Sequence, residues 1–397
     1  MGTRAGAGGR WSRRRFIGMG AGAAAVVAVP SPAAPPPDPA PEGAPHRAPG
    51  DASFGPRPLY LGTYTSAPGG GTGIGLASYD PESGLITGSG TLTGVPDPSY
   101  LAVHPDGRTL YAVDERQDGG VTAVRLDDRR VLGTRSTGGA GPCHLSVHPS
   151  GRWLLSANYG SGSVAVHPIG ASGALGERTD LVAHTSPGPG PGQEGPHAHQ
   201  FRAAPDGRHL LAVDLGTDTV HTYRLDAARG TLTEVGQAHT RPGAGPRHLT
   251  FHPGGRHAYL ANEVDDTVVV CAYDPATGLL AIGEPQSTGA TGNVTNYPAQ
   301  VLVTANGRYA FLANRGHNSL ARYAIEADGA RLRLLGTVPV RGDFPRQIAF
   351  SPDGRLLFAA NQRSGTVTVF HVDAERGELR PAGEPFASPV AVCALPL

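Results

Sequence analysis

A short turn phrase occurs six times along this chain at nearly even spacing. Its first copy reads His-Pro-Asp-Gly-Arg, and every copy ends in Gly-Arg. Proline presets a negative φ in such a turn, and glycine adopts the conformation that a side chain would resist. A period near 45 to 50 residues is typical of propeller blades and not of helical solenoids. The copies begin at residues 104, 148, 204, 252, 304 and 351, which lie 44, 56, 48, 52 and 47 residues apart.

Each turn joins two short apolar segments that are predicted to be β-strands. Residues 100–103 precede the first turn and residues 110–114 follow it. A third, alternating segment comes next, as in residues 267–273, and then an Asp-rich turn and a short outer segment. Four antiparallel strands per unit are the content of one blade. No window shows sustained helical periodicity or strand–helix alternation, which excludes α/β folds.

The two ends of the repeat region fix the number of blades. Residues 59–64 resemble a second strand that lacks a first, and residues 388–394 resemble a first strand with nothing after it. Pairing them completes a seventh blade and hides two edges that would otherwise invite aggregation. An unclosed β-solenoid would leave both fragments unpaired. The sequence therefore predicts an all-β, seven-bladed β-propeller over residues 57–397, closed by N- and C-terminal strands in one blade.

The N-terminal segment has the character of an export signal. Arg13, Arg14 and Phe16 precede an apolar run over residues 19–29, which is too short to span a bilayer. Paired arginines in this setting resemble a twin-arginine signal. We expect residues 1–33 to be that signal and residues 34–56 to be a Pro-rich flexible linker. The protein would then use the bacterial twin-arginine export machinery, keep no stable membrane span after processing, and be extracellular or in the cell envelope.

Charge and cysteine usage exclude several classes of function. The chain of 397 residues has a formal net charge of zero, and without residues 1–33 it has 28 basic against 33 acidic residues. That balance provides no electrostatic footprint for nucleic acid. Cys143, Cys271 and Cys393 are too widely spaced for a metal knuckle or a disulfide framework, and they are interpreted as small buried hydrophobes.

The repeat allows residues of different blades to be compared by position. Because adjacent strands are antiparallel, a residue five before the turn and one eleven after it lie at the same end of the propeller. Polar side chains concentrate at these two positions, whereas the positions between them are apolar. This predicts a polar rim where several blades meet at the central channel, formed by Glu115, His199, Arg247, Glu263, Arg315, Arg346 and Gln362.

The concentrated part of this rim is formed by His199, Arg247, Glu263, Arg315 and Arg346. Three arginines, a histidine and a glutamate suit an anionic substrate that needs proton transfer. His199, Arg247, Glu263 and Arg315 are the candidate catalytic residues. Strand alternation would put His197 and His199 on one side, but without a third ligand nearby we expect no metal and no other cofactor. Alternatively, the rim residues only satisfy one another's charges and hydrogen bonds around a solvated channel mouth and have no catalytic role. The candidate substrate contacts are His197, Arg346, Gln362, Glu115 and His144.

Several motifs together resemble the seven-bladed lactonase family, which includes bacterial 6-phosphogluconolactonases and the fungal carboxymuconate cyclase. In the cyclase branch, a His, an Arg, a Glu and a second Arg are the proposed active-site residues, and the resemblance places them at His199, Arg247, Glu263 and Arg315. The motifs are Leu-Tyr-Leu-Gly-Thr-Tyr-Thr (59–65), Gly-Pro-Arg-His-Leu (245–249), Ala-Asn-Glu (261–263), Ala-Asn-Arg-Gly-His (313–317), Phe-Pro-Arg (344–346) and Ala-Asn-Gln (360–362).

The resemblance implies a metal-independent hydrolase that opens an anionic or sugar-type lactone, with either Glu263 or His199 as the base. An export signal fits poorly with a phosphorylated sugar lactone, because such compounds should be scarce outside the cell. A muconate-type lactonising cyclase and a non-catalytic extracellular binding propeller are the alternatives. Seven closed blades would form a self-sufficient core, so we expect a monomer.

Overall fold

The computed structural model describes residues 55–397, which form seven antiparallel sheets. Six of these blades consist of consecutive strands, and the remaining one combines strands from the two ends of the described chain. The prediction of an all-β, seven-bladed propeller is confirmed. The only helical element among the described residues is a 3₁₀ turn, Ala327–Gly329. None of their helical segments has the length and apolarity that crossing a bilayer requires.

Apart from β29, which is the innermost strand of the first blade, the strands of each blade follow the chain from the channel outward. The first four blades contain β1 (Arg57–Thr63), β2 (Gly73–Tyr79) and β3 (Ile86–Thr93); β4 (Leu101–Val103), β5 (Thr109–Val113), β6 (Gly120–Arg125) and β7 (Arg130–Ser136); β8 (Pro142–Val147), β9 (Trp153–Asn158), β10 (Ser163–Pro168) and β11 (Asp180–Ala183); and β12 (Ala198–Ala203), β13 (His209–Asp214), β14 (Thr219–Asp226) and β15 (Thr231–His239).

The last three blades follow the same order. They contain β16 (Pro246–Phe251), β17 (His257–Asn262), β18 (Thr267–Tyr273) and β19 (Leu280–Ser287); β20 (Tyr297–Val303), β21 (Tyr309–Arg315), β22 (Ser319–Glu326) and β23 (Arg331–Pro339); and β24 (Pro345–Phe350), β25 (Leu356–Asn361), β26 (Thr366–Asp373), β27 (Glu378–Pro381) and β28 (Phe386–Ala387), with β29 (Ala391–Pro396) returning to the first blade.

The ring closes where β29 pairs antiparallel with β1. In this register Leu61 lies opposite Ala394 and Gly62 lies opposite Cys393. A side chain at Gly62 would collide with the Pro98 carbonyl oxygen, since a Cβ there would lie 2.4 Å from it. The predicted closure of one blade by both terminal strands is therefore confirmed, and its tight packing explains the glycine.

Apolar residues fill the spaces between adjacent blades. Between the seventh and first blades, Phe358 packs edge-on against Tyr79, with ring centroids 5.0 Å apart, and both residues are fully buried. The three cysteines are buried free thiols, as predicted. Because each blade covers the apolar face of the next, the core is a ring around the channel.

The histidines of the turn phrase link neighbouring blades at one end of the propeller. Each contacts the carbonyl oxygen of the glycine in the next blade's turn. A ring nitrogen that bonds a carbonyl must carry the proton, so these side chains are committed as donors. The pairs are His104 Nε2 with Gly151 O (2.9 Å), His148 Nε2 with Gly207 O (2.7 Å) and His252 Nε2 with Gly307 O (3.1 Å).

Candidate functional site

Most of the innermost strands carry β-bulges at the end opposite the turns. In β16, Pro246 pairs with Asn262 and His248 pairs with Ala261, so Arg247 is the extra residue. A bulge bends the strand and redirects a side chain. The same irregularity recurs in β8, β12 and β24, where the extra residues are Cys143, His199 and Arg346.

The residues that follow the second strands are held in matching register. The Glu263 backbone N–H donates to Gly245 O at 2.7 Å, and the Gln362 N–H donates to Phe344 O at 3.0 Å. The two polar positions that the sequence aligns therefore lie at one end of the channel. Arg247 and Glu263 lie at the two ends of one hairpin, formed by β16 and β17.

Glu263 joins two arginines from adjacent blades. Its Oε2 lies 2.9 Å from Arg247 Nε and also contacts Arg315 Nη2. The arginine side chains are only 2% and 5% exposed, whereas the glutamate is 21% exposed. One carboxylate thus compensates two buried guanidiniums and is the most exposed member of the cluster.

Backbone carbonyls fix the orientation of both guanidiniums. Arg247 Nη1 donates to Ala299 O at 2.7 Å, and Arg315 Nε donates to Tyr297 O at 3.0 Å. The Arg315 guanidinium also lies over the Phe344 ring, 5.2 Å from its centroid. Such fixed donors cost little reorganisation when charge develops on a ligand.

The electrostatics of this cluster are strongly coupled. Burial and the neighbouring Arg315 lower the pKa of Arg247 to about 9. Burial tends to raise the pKa of Glu263, but Arg315 and Arg247 outweigh it and hold that pKa below the ordinary value. Glu263 is therefore an ionised carboxylate with low proton affinity.

A second ion pair lies on the other side of the rim. Arg346 Nη2 is 3.3 Å from Glu115 Oε1, and the Tyr64 hydroxyl donates to Glu115 Oε2 at 2.9 Å. Arg346 and Glu115 are each 17% exposed. Arg346 also acts electrostatically on Glu263, which connects the two ion-paired groups across the channel mouth.

His197 and His199 both contact the Tyr159 ring. His197 stacks on it with centroids 4.4 Å apart, and His199 meets it edge-on at 5.6 Å. Strand alternation is the wrong reason for their proximity, because β12 begins at Ala198 and His199 is a bulge residue. His197 Nδ1 donates to Tyr159 O at 2.8 Å, which fixes the orientation of the ring.

His199 is 5% exposed, and burial together with Arg247, Arg346 and Arg315 lowers its pKa well below 6.5. It is therefore a neutral imidazole at neutral pH. Such a group accepts a proton readily only when negative charge develops beside it.

The remaining sequence candidates lie at different depths. Gln362 is half-buried at the rim, directly after β25 in the same blade as Arg346. His144 lies one residue deeper along its strand, 3% exposed, with its ring centroid 5.4 Å from that of His248. Burial, Arg202 and Arg247 lower the pKa of His144 to about 3.

Three residues of the site were missed by the positional comparison. Tyr297 and Phe344 flank Arg315, and His248 packs against His199 with centroids 5.1 Å apart. The bulge explains His248, because both residues at a bulge can face the channel. Tyr297 precedes the compared position in a blade where that position is Ala299, so only a wider window would have found it.

No three His, Cys, Asp or Glu side chains among residues 55–397 come together in an arrangement that would hold a metal ion. The predicted signal (residues 1–33) and linker (residues 34–56) lie outside the described residues, apart from Gly55 and Pro56. Fold and rim together define a seven-bladed propeller with an arginine-rich, carboxylate-bridged channel mouth.

Comparison with known proteins identifies the family to which this fold belongs. Residues 58–396 match the family described as lactonase, 7-bladed beta-propeller. A 6-phosphogluconolactonase of Bacillus subtilis (strain 168) is 33% identical over 297 residues, covering 72% of this chain and 82% of that protein. A 6-phosphogluconolactonase of Pectobacterium carotovorum is 35% identical over 245 residues, covering 60% and 70%.

Among solved structures, the periplasmic gluconolactonase PpgL of Pseudomonas aeruginosa superposes with a TM-score of 0.80 at 31% identity. The match covers 86% of this chain and 99% of that one. The chain belongs to the seven-bladed β-propeller lactonase family, and its enzyme class is that of a lactonase.

Proposed function

We propose that this protein hydrolyses a sugar-type lactone at the rim formed by Arg247, Glu263 and Arg315. The observation that carries the proposal is the pairing of two buried, backbone-anchored guanidiniums by one partly exposed carboxylate. Fixed cationic donors suit a carbonyl that becomes an oxyanion. The relatives named as gluconolactonases support a lactone as the substrate.

The charge balance of the rim favours a neutral or singly charged lactone. Glu263 compensates Arg247 and Arg315, and Glu115 pairs with Arg346, so three guanidiniums face two carboxylates. A phosphate dianion would need more uncompensated positive charge than this. We therefore favour a non-phosphorylated aldonolactone over a phosphorylated one, which also suits an exported protein.

In the proposed reaction, water attacks the ring carbonyl carbon and the bond from that carbon to the ring oxygen breaks. Arg247 and Arg315 would stabilise the oxyanion of the tetrahedral intermediate. Donors of this kind typically contribute about 3 kcal/mol of barrier lowering each. The products are the hydroxyl that was the ring oxygen and a carboxylic acid, which releases its proton to solvent and leaves as the carboxylate.

We assign the proton acceptor to His199 and not to Glu263. The Glu263 carboxylate is held by two guanidiniums, which lower its pKa and weaken it as a base. His199 is uncharged in the resting site, and the oxyanion would supply the counter-charge that its protonated form lacks. It would then return the proton to the leaving ring oxygen, a role worth roughly 10²–10⁴-fold in rate.

The first test is turnover of glucono-δ-lactone, its 6-phosphate and a muconolactone by the purified protein, after subtraction of spontaneous hydrolysis. We expect a preference for the unphosphorylated sugar lactone, and we expect Arg247→Ala to abolish most of it. Turnover of the muconolactone alone would favour the cyclase alternative. Saturable binding without any product would favour the non-catalytic alternative, and full activity in Arg247→Ala and Glu263→Ala would remove the site.

A further inference from the structure

The channel contains a cavity on the turn side of His144, His199 and His248. It has a volume of about 330 Å³ and is bordered by inner strands of five blades. We call it the lumen cavity. None of the described residues that line it is Asp or Glu, and its polar lining residues include Tyr100, His144, Gln200, Arg202 and Gln300.

Three of these side chains have their acceptor atom occupied by a backbone N–H of another blade's inner strand. The donor end of each side chain is thereby left to the cavity: the amide NH₂ of the glutamines and Nε2–H of the histidine. The bonds are Leu249 N to Gln200 Oε1 (2.8 Å), Ile348 N to Gln300 Oε1 (3.4 Å) and Phe201 N to His144 Nδ1 (3.4 Å).

Arg202 provides the positive charge of the lumen cavity. Its Nη1 donates to Leu249 O at 3.2 Å, and its guanidinium lies 5.9 Å from the Phe251 ring centroid. Among residues 55–397 no carboxylate oxygen lies within 4.0 Å of it. A half-buried guanidinium with a single hydrogen bond retains four N–H donors for a ligand.

This cavity is separate from the rim. The His248 ring lies between the two levels, with centroids 5.1 Å from His199 on the rim side and 5.4 Å from His144 on the cavity side. Arg202 belongs to no ion pair of the rim, and the proposed hydrolysis does not use it. The two regions can therefore be altered independently.

We propose that the lumen cavity is a second, non-catalytic binding site for a small, singly charged oxyanion, a carboxylate or dihydrogen phosphate. Arg202 would supply the charge, and Gln200, Gln300, His144 and Tyr100 would donate hydrogen bonds around it. The volume accommodates an anion the size of phosphate or of a short-chain carboxylate. Donors that converge from several blades suit an oxyanion with several acceptor atoms.

The test is calorimetric titration of the full-length protein with inorganic phosphate and, separately, with acetate. We expect Arg202→Gln to weaken oxyanion binding at this site at least tenfold while leaving kcat/KM for the lactone unchanged. The control is Arg152→Gln, which removes an exposed arginine from the same end of the propeller. It should bind as the wild type does.

Tyr100→Phe provides a milder variant should Arg202→Gln fail to fold. It removes one hydroxyl, and we expect a loss of about three- to tenfold in affinity for the oxyanion. The titrant whose affinity falls in these variants, inorganic phosphate or acetate, identifies the class of oxyanion that the lumen cavity binds. Unchanged binding in Arg202→Gln or in Tyr100→Phe would overturn the proposal, and so would binding that is lost only in Arg247→Ala.

Discussion

Arg247 Nε lies 2.9 Å from Glu263 Oε2, across a single hairpin of the fifth blade, and Arg315 of the sixth blade contacts the same oxygen. The carboxylate therefore ties two blades together at the channel mouth. It also keeps both guanidiniums oriented without a bound ligand. Activity and local stability should consequently respond together when this carboxylate is changed.

Replacing Glu263 by Gln should lower both the activity and the stability of the protein. The change leaves two buried guanidiniums without their counter-charge, which is costly for fully buried pairs. Because Glu263 is partly exposed, we expect a loss of about 2 kcal/mol in the free energy of unfolding, together with a fall in kcat/KM of about 10²-fold. Chemical denaturation and lactone kinetics measure the two effects. Glu284→Gln, an exposed change on β19, is the control, and equal behaviour of the two variants would contradict the role of Glu263.

The pH–rate profile reports the environment of His199. Burial and three arginines keep its pKa well below 6.5, so the imidazole stays unprotonated as the pH falls through 6.5. We expect the acid limb of kcat/KM to lie well below pH 6.5. His199→Gln should remove that limb and lower the rate by about 10²–10⁴-fold. An acid limb centred between pH 6.5 and 7 would indicate an exposed base instead.

The buried channel histidines should make stability depend on pH. Burial, with nearby charges, lowers the pKa values of His144, His199 and His248. Below pH 6.5 the unfolded chain therefore binds more protons than the folded one. Stability is complete above pH 6.5 and is lost as the pH falls toward the folded pKa values, by up to about 1.4 kcal/mol per pH unit for each histidine.

His248→Gln tests this dependence by denaturation at pH 7 and pH 5.5. The variant should show a shallower loss of stability between the two values than the wild type shows. His239→Gln, at an exposed position, should leave the slope unchanged. Identical slopes in all three proteins would show that the channel histidines do not resist protonation.

Closure by β29 predicts a strong effect of a charge in that strand. Ala394 is fully buried between the first and seventh blades, and its N–H donates to Gln347 Oε1 at 2.8 Å. Ala394→Asp would bury an unpaired carboxylate, which is costly. We therefore expect the protein to lose its cooperative thermal transition or to have a Tm lower by more than about 10 °C. Leu85→Asp, whose position is 63% exposed, should melt close to the wild type. Equal melting of both variants would contradict closure by this strand.

Export is a prediction from the sequence alone. Replacing Arg13 and Arg14 by Lys keeps the charge of the segment but removes the paired arginines on which a twin-arginine signal depends. We expect the protein to remain in the cytoplasm, as measured by cell fractionation and immunoblotting. Replacing Arg4 and Arg10 by Lys is the control and should leave export intact. Undiminished export of the Arg13/Arg14 variant would exclude this route.

The repeat allowed the fold to be predicted because each blade carries its own turn signal and the two end fragments are complementary. The same periodicity aligned Arg247 with Glu263 and Arg315 at one end of the channel. A shared register is a local property of hairpins, so it can be read from spacing. The register shows which ends of neighbouring blades meet, but it does not show which side chains contact each other there.

The details that spacing missed come from bulges and from packing across blades. A bulge adds one residue to a strand, so alternation fails there, as His199 and His248 demonstrate. Stacking on Arg315 involves Tyr297, the first residue of β20, and Phe344, which precedes β24, and neither lies at a position that the repeat aligns. Likewise, the lumen cavity depends on which end of each Gln bonds the next blade, and sequence does not encode that choice locally.

The most direct test of the rim as a lactone-opening site is the steady-state kinetics of Arg315→Gln with glucono-δ-lactone. Arg333→Gln, an exposed change on the outer strand of the same blade, is the matched control. If lactone opens at the rim, kcat/KM should fall by about 10²–10³-fold in Arg315→Gln, with the control unchanged. Equal kcat/KM for the two folded variants would contradict lactone opening at the rim.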